Sequence, residues 1–333
     1  MSKLLLILLL FMGTTVVNAH PSYGIAVDDE GAIYFADIIH NGRGSVWKLT
    51  SEGNLELLLS NFHAHNLILT ANQELITAQG EEWHTLLRLK PNGIKDTLYH
   101  TANFREFNGG NYTFTSTGNI VFGIDNFLWV INSEGKKRKL SDHMFGWNQI
   151  IHAHENGYIY ATDIGDSTGK IYQIDQAGKA LVYAAGLLTH LPRGYDKHQD
   201  VLLGMTSDGN GNLYVAETAG QRIIKILTDG SHETFYRSKD DYFPTGLDFS
   251  NNQTYILEFK MKGGNAGPRI TRVDSAGGRK VVFDFETHHK KVSPIVAPNT
   301  PNSGTFLWVL GMVLIMVIGV IVFLKMKLHA PAT

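Results

Sequence analysis

His63 and His65 are separated by one residue, so on an extended segment both imidazoles project from the same side, as a metal-ligating pair requires. His152 and His154 repeat the spacing. Other side chains able to bind a ligand or proton cluster in sequence: Asn66; Glu81, Glu82 and His84; Arg105 and Asn108; Trp147, Asn148 and Gln149; His190, Arg193, Tyr195 and His198. Carboxylates at Asp37, Asp163, Glu217 and Glu258 complete the inventory, with the amide of Gln79 among them. These types serve hydrogen-bonded recognition or a divalent cation, Zn or Ca. The chain has no cysteine, which excludes disulfides, thiolate metal sites and a cysteine nucleophile. No serine or threonine sits in a nucleophile motif, and no glycine loop is built for phosphate.

The elements that must position these groups are short β-strands. Leu203 to Arg237 shows one unit complete: Gly204–Thr206, a turn at Asp208-Gly-Asn-Gly211, Asn212–Ala216, Arg222–Leu227, a turn at Thr228-Asp-Gly230, and His232–Tyr236. Its second strand and preceding turn recur from Asp28, Thr70, Thr115, His154 and Phe249, a spacing near 40 residues. One four-stranded sheet of this size leaves two apolar faces uncovered, so the copies must pack on each other. Six copies predict an all-β, six-bladed β-propeller with four-stranded antiparallel blades over 22–60, 61–100, 101–141, 142–186, 203–238 and 243–285. The longest insertion, 187–202, separates blades four and five. No spare strand is left to close the ring, so closure is expected either by face packing or through a different strand register.

In such a ring, the connections between blades and the loops between second and third strands open on one face beside the channel. That rule gathers His65, Asn108, Asn148, Arg193 and Tyr195 into one ligand-binding rim, with His63 and His65 as the candidate metal pair. His152 and His154 fall at the far end of their strand, away from them. Asp37, Gln79, Asp163, Glu217 and Glu258 end the second strand in five blades, and such recurrence points to carboxylates accepting backbone N–H bonds in the next turn. Glu258 precedes the long 260–268 loop and is retained as a ligand-binding candidate. The basic run Lys136 to Lys139 is expected to protect an exposed edge strand, and Trp47, Trp83 and Trp129 to pack blades. Asn111-Tyr-Thr113 and Asn252-Gln-Thr254 are glycosylation sequons in a eukaryotic setting.

Both ends carry membrane signals. Lys3, the apolar Leu4–Met12 and Val17-Asn-Ala19 predict a signal peptide over 1–19, ahead of a propeller over 20–285. Residues 286–303 hold three prolines and the pair His288-His289, and read as a stalk able to lift the propeller several tens of Å from a bilayer. The uncharged run 304–324 has the length of a transmembrane helix, and Lys325 and Lys327 place the 325–333 tail in the cytoplasm. The propeller is therefore expected outside the cytoplasm, periplasmic or extracellular, on a single-pass anchor. A net charge of −2 argues against nucleic acid as a partner.

The unit Gly211-Asn-Leu-Tyr-Val-Ala-Glu217 with Gln221-Arg-Ile-Ile-Lys225 resembles an NHL repeat, as does Tyr23-Gly-Ile-Ala-Val-Asp28 with Ile33-Tyr-Phe-Ala-Asp37. The resemblance spans 22–285 and extends to gluconolactonase-like six-bladed propellers. It implies a divalent cation held by acids and asparagines at the starts of innermost strands. Asn108 and Asn148 match the asparagines, while Leu203 and Tyr23 stand where acids are implied. Propeller lyases with three zinc-binding histidines are also similar; only His65 matches, with Tyr23, Gly110, Gln149, Leu203 and Thr245 at the equivalent places. Two functions are therefore expected: a module binding a small molecule, glycan, peptide or protein on the channel face, or a metal-assisted hydrolase or lyase with a degenerate site.

Overall fold

The computed structural model describes residues 21–40, 43–81, 83–260 and 266–288. The signal segment, Glu82, residues 289–303 of the stalk, the apolar run 304–324 and the tail lie outside these. Among the described residues no helix is long and apolar enough to cross a membrane.

Among the described residues six four-stranded antiparallel sheets form, each with its strands in chain order. Their innermost strands are Ile25–Val27, Ala64–Leu69, Tyr112–Phe114, Ile151–Ala153, Leu202–Ser207 and Tyr242–Ser250. Their outermost strands are Leu55–Ser60, Lys95–Thr101, Lys137–Lys139, Ala180–Ala185, His232–Arg237 and Arg279–Asp284. The six-bladed propeller expected from the repeats is thus the fold, and every sheet falls within a residue or two of its expected span.

Local chemistry explains why the unit repeats. In blade five, Asp208 Oδ1 accepts the backbone N–H groups of Asn210 and Asn212, each at 2.9 Å, and Oδ2 accepts the Tyr214 hydroxyl at 3.0 Å. Asp28 does the same in blade one for Glu30, Ala32 and Tyr34. The turn closes with Gly211 at φ 81°, a conformation that costs glycine little. Side chains then alternate between two neighbours: Ile33 and Phe35 pack toward blade six, whereas Tyr34 and Ala36 pack toward blade two.

The ring closes by face packing, one of the two routes left open by the sequence. Blade one and blade six share a core of Phe35, Trp47, Leu257, Phe259, Ile270 and Phe283. Asp248 Oδ2 accepts the Val27 N–H across this seam at 2.8 Å. A helical turn, Phe285–His288, then seats Phe285 against His40 at 3.9 Å and Trp47 at 5.6 Å between ring centroids. Residues 286–288, assigned to the stalk from sequence, therefore belong to the end of the propeller.

Candidate functional site

Residues at or just before the starts of five innermost strands line one cavity at the channel mouth: Tyr23, His65, Gly110, Gln149 and Leu203. Together with Asn108, Asn111, Asn148, Asp125 and the apolar Ile124, Phe127, Trp147 and Ile150, they line a cavity of about 370 Å³. Blade geometry sets its width. A Cβ on Gly246 would lie 1.9 Å from the Tyr23 carbonyl, and one on Gly204 would lie 2.5 Å from that of Thr245, so only glycine lets these strands approach. Blades two and three carry Asn66 and Asn111 at the same place, and each amide reaches the next blade: Asn66 Nδ2 donates to the Tyr112 carbonyl at 3.2 Å, and Asn111 Nδ2 to Asn148 Oδ1 at 2.6 Å.

The wall is a lattice of neutral amides. Asn108 Nδ2 donates to the Gly123 carbonyl and its Oδ1 accepts the Gly110 N–H, both at 3.0 Å. Asn148 Nδ2 donates to the Thr162 carbonyl at 2.8 Å. Asn111 Oδ1 is buried with no hydrogen-bond partner among the described residues, at a cost in desolvation that the fold carries elsewhere. The carboxylate among the lining residues, Asp125, is paired with Arg105 at 2.9 Å. Burial pushes the Tyr23 phenol well above its usual range, so it stays neutral.

His65 lies in the pocket, its ring stacked on Tyr23 at 6.4 Å. His63 lies behind it, 6% exposed, with the two Nε2 atoms 3.0 Å apart. His63 Nδ1 faces the Arg43 carbonyl at 3.2 Å, and a carbonyl only accepts. With both rings neutral, His65 therefore donates through Nε2 to His63. His84, grouped with the rim from sequence, is buried and its Nδ1 accepts the Gly109 N–H at 3.2 Å, which fixes the backbone between the lining residues Asn108 and Gly110. Burial holds the His84 imidazolium below its usual range, consistent with that acceptor role.

The structure brings His65, Asn108 and Asn148 together and places three other candidates elsewhere. Arg193 pairs with buried Asp200, and the Tyr195 hydroxyl donates to the Ile164 carbonyl at 2.6 Å, so both fold the 187–202 insertion instead of lining the pocket. The insertion reaches the rim through Lys197, whose Nζ lies 4.3 Å from the Trp147 ring centroid. Glu258 departs furthest from the ligand-binding expectation. It is fully buried, and its oxygens accept from Tyr236, Ser238, Arg269 and Thr271, joining blades five and six. Asp163 and Glu217 behave as the recurrence implied: Asp163 takes the N–H groups of Gly146, Trp147 and Gly165, each at 2.9 Å, and Glu217 takes that of Thr189.

Sequence reading missed Asn111, which it treated only as a sequon. The residue is 8% exposed and its amide nitrogen is bonded to Asn148, so it has no room for a glycan. The available signal was a polar side chain at the position where Gly24, Gly204 and Gly246 stand in other blades. His154 lines a separate cavity of about 480 Å³ with Thr115, Tyr158 and Asp175, between blades three and four.

Solved structures share this architecture. Virginiamycin B lyase from Staphylococcus aureus is 17% identical, with 78% of this chain and 83% of the lyase covered at a TM-score of 0.52. A gluconolactonase from Xanthomonas campestris is 13% identical, with 79% and 86% covered at 0.55. The fold is that of the gluconolactonase-like and lyase propellers. Regucalcin from Agrobacterium tumefaciens, described as a calcium-binding protein, is 14% identical, with 74% and 89% covered at 0.53. Likeness at these identities concerns fold, and function lies in the site each propeller carries. No protein-family model and no curated protein matches the chain.

The neighbours raise the question of a divalent metal, and the channel residues answer it poorly. Calcium takes six to eight oxygens, carboxylates among them. Here the Oδ1 atoms of Asn108 and Asn148 already accept N–H groups, and Leu203 and Tyr23 stand at the acid positions. Among the described residues no group of three or more His, Asp or Glu is arranged to hold an ion. The Glu81 carboxylate is 3.5 Å from His63 Nδ1, the nitrogen that does not face His65.

Proposed function

We propose that this propeller is a binding module that takes an uncharged, hydrogen-bonding small molecule or peptide segment at its channel mouth. One observation carries the reading: the cavity walls are amide, imidazole and apolar groups, with the Asn111 acceptor buried and unpartnered among the described residues and the Asp125 carboxylate already paired. A cavity of about 370 Å³ lies within the range that encloses small ligands. The apolar side of Ile124, Phe127 and Leu203 supplies contact area, while the amides set orientation.

Ligand-observed NMR of the full chain against neutral saccharide and peptide-amide fragments tests this. Hits are expected to weaken at least several-fold in His65→Ala and in Asn111→Leu, which keeps bulk and removes both the acceptor and the Nδ2 bond to Asn148. Fragments that bind both variants as they bind the parent chain would locate the site elsewhere.

The second reading, a metal-assisted hydrolase or lyase, is favoured by the facing Nε2 atoms of His63 and His65 at 3.0 Å and by the enzymes among the structural neighbours. Elemental analysis separates the two. Stoichiometric zinc or calcium, lost in His65→Ala, would support the enzyme; a folded chain without it supports the binding module.

A further inference from the structure

Three large apolar side chains stand exposed in succession along one arc of the pocket face. Trp83, 48% exposed, lies in the loop between the second and third strands of blade two. Phe104, also 48%, lies in the connection into blade three, and Met144, 65%, in the connection into blade four. Exposed apolar residues elsewhere, such as Leu181 and Val281, sit on outermost strands of separate blades. The arc is amphipathic in detail. The Trp83 ring stacks on His100 at 5.2 Å and 14°, and the Arg105 guanidinium lies 5.6 Å from the Phe104 ring centroid. Aromatic rings with one polar neighbour and one bare face are the groups that settle at a membrane–water interface.

Both ends of the propeller emerge on this same face. Pro21 lines the pocket, and Phe285 packs on His40, in the loop between second and third strands of blade one. From His288, fifteen residues, 289–303, lead to the apolar run 304–324. Fully extended they reach at most about 50 Å. A tether of that length anchored in a bilayer holds the pocket face at high effective concentration near lipid, whereas the opposite face would have to turn away from its own attachment point.

Two basic side chains beside the arc face carboxylates. Arg105 pairs with Asp125, Lys139 lies 3.4 Å from Asp142, and Lys137 is folded over the Phe122 and Trp129 rings. Attraction to anionic headgroups is therefore not the driving term, and apolar insertion is.

We propose that the pocket face is a lipid-docking surface: Trp83, Phe104 and Met144 enter the interfacial layer of the bilayer that anchors the chain, and the channel mouth opens on membrane-borne ligands. The inference rests on the transmembrane reading of 304–324, and the test separates the two. Because the chain has no cysteine, single-cysteine variants carry one label each. Full-length Trp83→Cys, Phe104→Cys and Met144→Cys, labelled with an environment-sensitive fluorophore, are reconstituted into phosphatidylcholine vesicles containing doxyl-lipid quencher. Asn92→Cys and Asp229→Cys, in exposed turns between third and fourth strands, report the opposite face. The expected result is blue-shifted emission and several-fold stronger quenching at 83, 104 and 144 than at 92 and 229, unchanged by raised salt. Chains that float with vesicles but show equal, water-like emission at all five positions would overturn the docking surface and leave the span standing. Chains that do not float would overturn both.

Discussion

Individual side chains here do two kinds of work, and their titration separates them. Burial raises Asp248 from the usual carboxylate range to about 6, and burial lowers His152 to about 4. The signs are opposite. The folded state binds the Asp248 proton more readily than the unfolded chain does, so between roughly pH 4 and 6 this residue adds stability as pH falls. His152 resists a proton in the folded state, so its contribution is complete above about pH 6.5 and is lost as pH falls toward 4. Asp248→Asn, which keeps an acceptor for the Val27 N–H, is therefore expected to stabilise the chain at pH 7 by up to about 3 kcal/mol. The difference from the parent should vanish below about pH 4, and the acid limb should steepen because His152 is no longer offset. Denaturant titrations across pH measure both; a constant difference at every pH would contradict the burial argument. Glu258 was read from sequence as open to a functional role, and here sequence position alone misled. Neighbouring strands from two blades enclose it, and nothing in the local pattern reveals which second-strand carboxylate will be covered.

At the scale of elements, the strands and turns were legible because they depend on short-range chemistry. The Asp208 turn, its tyrosine six residues on and the buried run Leu213 to Glu217 all lie within one unit. Contacts between blades were not legible, since they join residues far apart in sequence. The glycines of the innermost strands show the cost of altering them. Gly246→Ala would drive a methyl group into the Tyr23 carbonyl, and a loss of about 1–3 kcal/mol or more is expected, with the blade six to blade one seam loosened first. Amide exchange at Val27, whose N–H bonds Asp248 across that seam, would report it. Glu258→Ala leaves Arg269 without its buried partner and is expected to cost about 3–5 kcal/mol. If ligand binding fell in that variant while stability held, Glu258 would be a recognition residue after all.

For the whole molecule, ring closure depends on face packing and the Val27–Asp248 hydrogen bond, without a strand exchanged between the first and last blades. Phe285 caps this seam from the helical turn that follows the last strand. Phe285→Ala is expected to cost about 3–5 kcal/mol and to lower the cooperativity of unfolding, because blades one and six would separate before the rest. A single sharp transition with unchanged midpoint would contradict that order. The pocket depends on the closed ring as well, since Tyr23 of blade one and Leu203 of blade five face His65 and Asn148 only while the circle holds. Sequence placed His65, Asn108 and Asn148 in one site because repeat register fixes the start of each innermost strand. It could not place Arg193 and Tyr195, whose long insertion folds by contacts with Asp200 and Ile164 that no repeat predicts.

The claim that the channel mouth recognises a neutral ligand through amides and imidazole, without a cation, is tested most directly by one titration. A fragment found by ligand-observed NMR is titrated into the full chain before and after exhaustive chelation, and again after adding calcium or zinc. The expected result is one affinity under all three conditions, lost several-fold in Asn111→Leu. Binding that disappears on chelation and returns with metal would contradict it.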